Sequence, residues 1–185
     1  FENVKCLQCG SDLAFLPDRM GVAAMEAAPE DANLLRPRAR GKSASRARYR
    51  MCHNHATWQA CNFAVPAADP NILCVSCRQT RVLPDLSIPE NQARWYRIEV
   101  AKRRLFYTLA KLRLASPAPP QGENDGPVFE FLADVPGHHV MTGHCAGVIT
   151  LNISEADDTE RVRRRVEMHE PYRTLIGHLR HESGH

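Results

Sequence analysis

The sequence predicts an α+β chain in two regions, a cysteine-rich N-terminal half over 1–80 and a helix-and-strand half over 81–185. Three observations carry that expectation. Six of the seven cysteines fall before residue 80. Apolar residues then recur at three- and four-residue steps through Trp95, Ile98, Ala101, Leu105, Leu109 and Leu112, the period of a helix with one buried face. Val148 to Ile153 alternates like a half-buried strand, and the chain closes on His181-Glu182-Ser183-Gly184-His185.

Composition sets the frame for these elements. With 43% hydrophobic residues in 185, the chain can bury a core, while 13 prolines point to extensive loops. A net charge of +3 does not by itself demand a nucleic-acid partner. No secretory h-region opens the sequence, and no apolar run is long enough to span a bilayer. Two C-x-x-C pairs read as metal thiolates rather than a disulfide framework, so a reducing, cytoplasmic setting without membrane partners is expected.

In chain order, Cys6-Leu7-Gln8-Cys9-Gly10 reads as a metal-knuckle turn in which two thiolates supply half a tetrahedral site. The alanine-rich stretch Val22 to Ala28 suggests a short helix. A basic run over 36–50, holding seven Arg or Lys residues and no acid, reads chiefly as a solvated loop, with phosphate binding as the alternative. Cys52, Cys61, Cys74 and Cys77 follow. Such a short, proline-containing stretch can hardly build its own core, so four thiolates closing on a structural zinc are expected, with His53 and His55 as bystanders. A second arrangement stays open, in which Cys6 and Cys9 join Cys74 and Cys77 in one ribbon.

The second region opens on a proline-rich linker over 82–90 and the long helix from Asn91. Lys102, Arg103, Arg104, Lys111 and Arg113 read as the solvated outer face of that helix, with Glu99 and Arg103 as an i, i+4 pair. A loop over 116–126 precedes a short strand over Val128 to Leu132. His138, His139 and His144 read as loop histidines rather than ligands, and Cys145 as a buried thiol. Gly143 and Gly147 suggest a turn into the Val148 to Ile153 strand, whose edge is available to an extended peptide. Ser154 to Asp158 starts a helix with acids in its first turn, and Pro171 reads as the first-turn proline of the last helix.

On that last helix, residues i and i+4 lie about 40° apart, so His181 and His185 can hold one metal ion with Glu182 beside them. This pattern suits hydrolysis: the metal acidifies a bound water and Glu182 takes its proton as general base. His178, one turn earlier, is placed to support the site or contact substrate, or equally to pack against the strand.

Taken together, Phe1-Glu2-Asn3 with Cys6 and Cys9, Cys52-x-Asn54, Cys61-Asn62, Cys74-x-x-Cys77, Trp95-x-x-Ile98-Glu99, Thr142-Gly143-His144, Ile149 to Ile153 with Glu155 to Asp158, and Tyr172 to His185 resemble a bacterial family of zinc-binding metallopeptidases with an N-terminal zinc-ribbon region. The resemblance spans nearly the whole chain. It implies a zincin-like, HExxH-bearing domain cut at its motif helix, a peptide or protein substrate, one catalytic zinc and one or two structural zincs. It also implies a further C-x-x-C before Phe1 to complete the Cys6/Cys9 site, and a third ligand for the catalytic zinc beyond His185. The competing expectation is a non-catalytic zinc-ribbon module that binds nucleic acid or protein through the 36–50 loop and the basic helix.

Overall fold

The computed structural model describes residues 2–38, 45–114, 127–167, 169 and 174–184, with Arg164 described by its backbone alone. It divides into two compact units, the first ending at Cys77 and the second beginning at Arg78.

The first unit is a five-stranded sheet in the order β1-β2-β3-β4-β5, built from Asp12–Leu16, Gly21–Ala28, Asp31–Pro37, Tyr49–Met51 and Ala64–Pro66. All of its pairings are antiparallel. The sheet curls back on itself: Phe15 N donates to Asn62 O at 2.8 Å, and the Phe15 and Phe63 rings stack with centroids 4.4 Å apart. Ala14, Leu16, Met25, Tyr49 and Ala64 form its small core.

The helix expected over Val22 to Ala28 is strand β2 instead. Alanine favours helix only as a weak prior, and here β1 and β3 pair with the segment on both sides, so tertiary hydrogen bonding decides. Met20, at φ 48°, makes the turn that sends β2 back along β1. The basic segment is only partly loop. Arg36 lies on β3 and donates to Glu26 at 2.8 Å, Arg48 pairs with Glu30, and Arg50 lies on β4. Residues 39–44 lie outside the described part.

In the second unit a four-stranded sheet has the order β6-β7-β9-β8, from Thr80–Val82, Val128–Leu132, Val148–Asn152 and Gly143–Cys145. The β6–β7 and β7–β9 pairs are parallel, while β8 and β9 form a hairpin turned by Ala146 and Gly147 at φ 48° and 79°. Helix α2, Pro89–Lys111, follows the short helix α1, His53–Trp58, of the first unit. It starts with Pro89 in its first turn, where the missing amide hydrogen costs no helical bond. Trp95, Ile98, Ala101 and Leu105 bury its apolar stripe, but Leu109 is half-buried and Leu112, expected on the same stripe, caps the helix and is exposed.

Four expectations are corrected here. Lys102 and Arg103 are buried rather than solvated. Lys102 Nζ lies 2.8 Å from Glu99 Oε1, bonds Thr80 Oγ1, and sits about 5.5 Å from the ring centres of Phe129 and Phe131. Burial of the Lys102 stem is possible because a carboxylate and two ring faces meet the ammonium there. Strand β9 is not an edge: β7 and β8 flank it, so among the described strands the edge on that side is β8. Cys145 is exposed on β8, not buried. The linker expected over 82–90 is shorter, since Val82 closes β6 and Pro89 and Glu90 open α2.

After β9 a single 3-10 turn, Ile153–Ala156, leads to α3, Asp158–Glu167, and the last helix, α4, spans Leu175–Ser183. Thr174 caps α4, its hydroxyl accepting from Gly177 N at 3.0 Å. Pro171, expected in that first turn, lies outside the described residues. Helix α4 packs on α2 through Leu179, which is fully buried.

Candidate metal centre and active site

The four-cysteine stretch folds so that its sulfurs converge. Cys52 ends β4 and opens α1, Cys61 follows α1, and Cys74 and Cys77 flank a turn entering a short 3-10 helix. All four are buried, with sulfurs within 4.8 Å of one another, and Cys61 and Cys74 Sγ lie 3.7 Å apart. A zinc ion bonded to four sulfurs at about 2.3 Å sets them about 3.8 Å apart along each tetrahedral edge, so this spacing fits the ion. Backbone amides of Phe63, Cys74 and Cys77 point at Cys61, Cys52 and Cys74 Sγ, each at 3.4 Å, which supports thiolates in a dry site. Burial drives the Cys61 and Cys74 thiols up, while contacts with Cys61, Cys74 and Cys77 pull Cys52 down. Buried sulfurs in such mutual contact are held more easily by a cation than by protons alone.

His55 and His53 stand aside, His55 Nδ1 bonding Cys61 O at 2.8 Å and His53 Nε2 meeting Thr57. Cys6 and Cys9 form the expected knuckle, with Gly10 N donating to Cys6 O and Gly10 at φ +66°. Among the described residues they join no group of three ligands. The Cys9 thiol is lowered to about 7, first by its hydrogen bond with Ser11 and also by Cys6.

The H-E-x-x-H helix has two contrasting sides. Glu182 is buried to 8% exposure, whereas His181 is exposed. Gly184, the C-cap of α4, keeps right-handed helical dihedrals (φ −86°, ψ −15°). His185 itself lies outside the described residues. Among the described residues His181 and Glu182 join no group of three metal-ligand side chains.

His178 is where the structure says more than the sequence did. Its Nε2 lies 3.1 Å from Glu182 Oε1, and its Nδ1 lies 2.6 Å from Oε2 of Glu155. Glu155 was expected only as an acid in a helix's first turn; instead it is 1% exposed and faces α4. Asn152-Ile153-Ser154-Glu155 gives no local signal for that role, because the meeting depends on where β9 delivers the chain.

The other loop histidines are structural. His139 pairs with Asp134 at 3.0 Å, and His144 Nε2 accepts from Gly147 N at 3.3 Å. A cleft of about 500 Å³ is lined by Arg94, Asp134, His139, Asp157, Glu160 and Arg163 among others, none of them from α4. Its mixed charges include no H-E-x-x-H residue, and the motif chemistry, not cavity size, marks the candidate site. Among the described residues no helix is long and apolar enough to cross a membrane.

Comparison with known proteins supports zinc binding in both regions of the chain. A family described as "Putative zinc-binding metallo-peptidase" matches residues 91–185, just over half the chain, and a zinc-ribbon domain family matches residues 1–88. Uncharacterised proteins of Mycobacterium bovis and Mycobacterium tuberculosis are 40% identical over all 185 residues. The chain spans about half the length of these curated relatives, 48% in each case. No solved structure matches the chain.

Proposed function

The chain belongs to the zinc-binding metallo-peptidase family, and from that premise we propose that its C-terminal region hydrolyses peptide bonds at a zincin-like site on α4. In this reading the zinc ribbon of the N-terminal region holds structure and does no hydrolysis. The observation that carries the proposal is the placement of Glu182: buried on one flank of the helix, held by His178, and adjacent to the exposed His181.

His181 and His185 are the ligands, with a further ligand supplied from elsewhere in the protein. Zinc, when bound, supplies Lewis acidity that makes water a nucleophile near neutral pH. The remaining work belongs to the chain's own side chains. Glu182 receives the proton of the attacking water on its carboxylate and delivers it to the departing amine. His178 limits the rotation of that carboxylate. Strand β8, last in the described sheet order beside β9, takes over from β9 as the strand along which an extended peptide would lie. A reducing, cytoplasmic setting suits the cluster of reduced cysteines.

The nucleic-acid module gains no support from the family matches, which favour the peptidase. The test is hydrolysis of a quenched fluorescent peptide library by the zinc-loaded protein and by Glu182→Gln. The variant should lose at least about 10²-fold in kcat while keeping its zinc. Wild-type turnover by that variant removes Glu182 from the reaction.

A further inference from the structure

Glu155 stands on the 3-10 turn after β9, remote in sequence from α4, yet its carboxylate is fixed at both oxygens. Thr142 Oγ1 donates to Oε1 at 2.6 Å, and the same hydroxyl accepts from Asn152 N at 3.0 Å. Oε2 faces His178 Nδ1 at 2.6 Å. Across the ring, Nε2 meets Glu182 Oε1 at 3.1 Å. Segments beside β8, after β9 and on α4 thus converge in one line: Thr142, Glu155, His178, Glu182.

We infer that Glu155 is a positioning residue for the site proposed above, locking the His178 ring so that Nε2 holds the Glu182 carboxylate in its working direction. The inference rests on the reading of Glu182 as general base. The chemistry is directional. A buried carboxylate that already accepts from a threonine hydroxyl offers its other oxygen as an acceptor, so Nδ1 of His178 carries a proton. Glu182 Oε1 is an acceptor as well, so Nε2 also carries a proton, and the ring bridges the two carboxylates as a double donor whose plane both bonds fix. Glu182 lies one turn further along α4, and a helix-borne glutamate has three rotatable bonds to restrain. A proton acceptor must be held within hydrogen-bond reach of its water, and small misplacements are costly in rate. Burial alone requires that Glu155 be paired, but it does not require that the chain of bonds end on the glutamate of H-E-x-x-H.

The experiment uses the zinc-loaded protein with ¹⁵N-labelled histidine, and the variants Glu155→Gln and Thr142→Val. In wild type, long-range ¹H–¹⁵N spectra should show His178 protonated at both Nδ1 and Nε2 and in a single state. Glu155→Gln should change that ring pattern and lower kcat by about tenfold or more, with KM within about twofold and zinc content unchanged. Thr142→Val leaves the carboxylate in place but releases one oxygen, so it should give the same changes to a smaller degree and serves where Glu155→Gln does not fold. A native His178 pattern with native kcat in either folded variant overturns the inference, as does a wild-type ring that is unprotonated at Nδ1. The ring pattern decides the point even in a protein that cleaves no peptide, a result that would instead overturn the peptidase reading.

Discussion

Stripping metal from the cysteine cluster should melt the first unit and spare the second. The magnitude follows from the site. Structural zinc in small peptides is held by about 10–16 kcal/mol. The lower end corresponds to a dissociation constant of about 50 nM. Free zinc at about 10 μM is then about 200 times that constant, and linkage gives about 3 kcal/mol of stabilisation. A domain of this size shifts by about 4–8 °C per kcal/mol, so chelation should lower its melting temperature by about 12–24 °C. The true loss is larger, because the four buried sulfurs within 4.8 Å of one another must then be satisfied without a cation, and the core of Ala14, Leu16, Met25, Tyr49 and Ala64 is small. The assay is scanning calorimetry with and without a chelator, with hydrogen exchange read on peptides from 1–77 and 78–185. A melting temperature unmoved by chelation, with protection over 1–77 intact, would refute the reasoning.

Three further outcomes follow from single groups. Lys102→Met leaves Glu99, fully buried, without its ammonium partner and should cost about 3–5 kcal/mol in chemical denaturation; pairing it with Glu99→Leu should recover most of the loss. Tyr49, whose hydroxyl donates to Asp18 at 2.7 Å, is raised to about 12, first by burial. Because its folded value lies above its unfolded one of about 10, the stability it contributes is complete below pH 10 and is lost as pH rises through about 12. Phenolate absorbance should therefore show one tyrosine ionising late and together with unfolding of the first unit, and Tyr49→Phe should remove that step. Thr174→Ala removes the cap of α4 and should cost about 1 kcal/mol, read as faster amide exchange in its first turn.

Much of this architecture was legible because the chemistry was local. The spacing of Cys52, Cys61, Cys74 and Cys77 chose the right four sulfurs, and the steps from Trp95 to Leu105 gave the buried face of α2. Phe129 and Phe131 alternated with Glu130, and β7 is the strand they implied. The failures share a cause: each depended on a partner distant in sequence. Val22 to Ala28 became a strand because β1 and β3 supply its hydrogen bonds. Lys102 went inward because Glu99, Thr80 and two phenylalanines receive it. Glu155 looked like a helix-opening acid until β9 brought it against His178. Within the motif, the sequence read His181 and Glu182 correctly as neighbours on one helix, but the burial of Glu182 came from packing that no spacing encodes.

The account depends most on two separate zinc populations, one held by thiolates and one proposed at His181 and His185. Zinc X-ray absorption with metal quantitation on the intact protein, on Cys74→Ser and on His181→Ala separates them. The account predicts that His181→Ala loses only the nitrogen-coordinated zinc, and that Cys74→Ser loses the sulfur-coordinated zinc. Zinc bound through sulfur alone, at a content unchanged by His181→Ala, would contradict it.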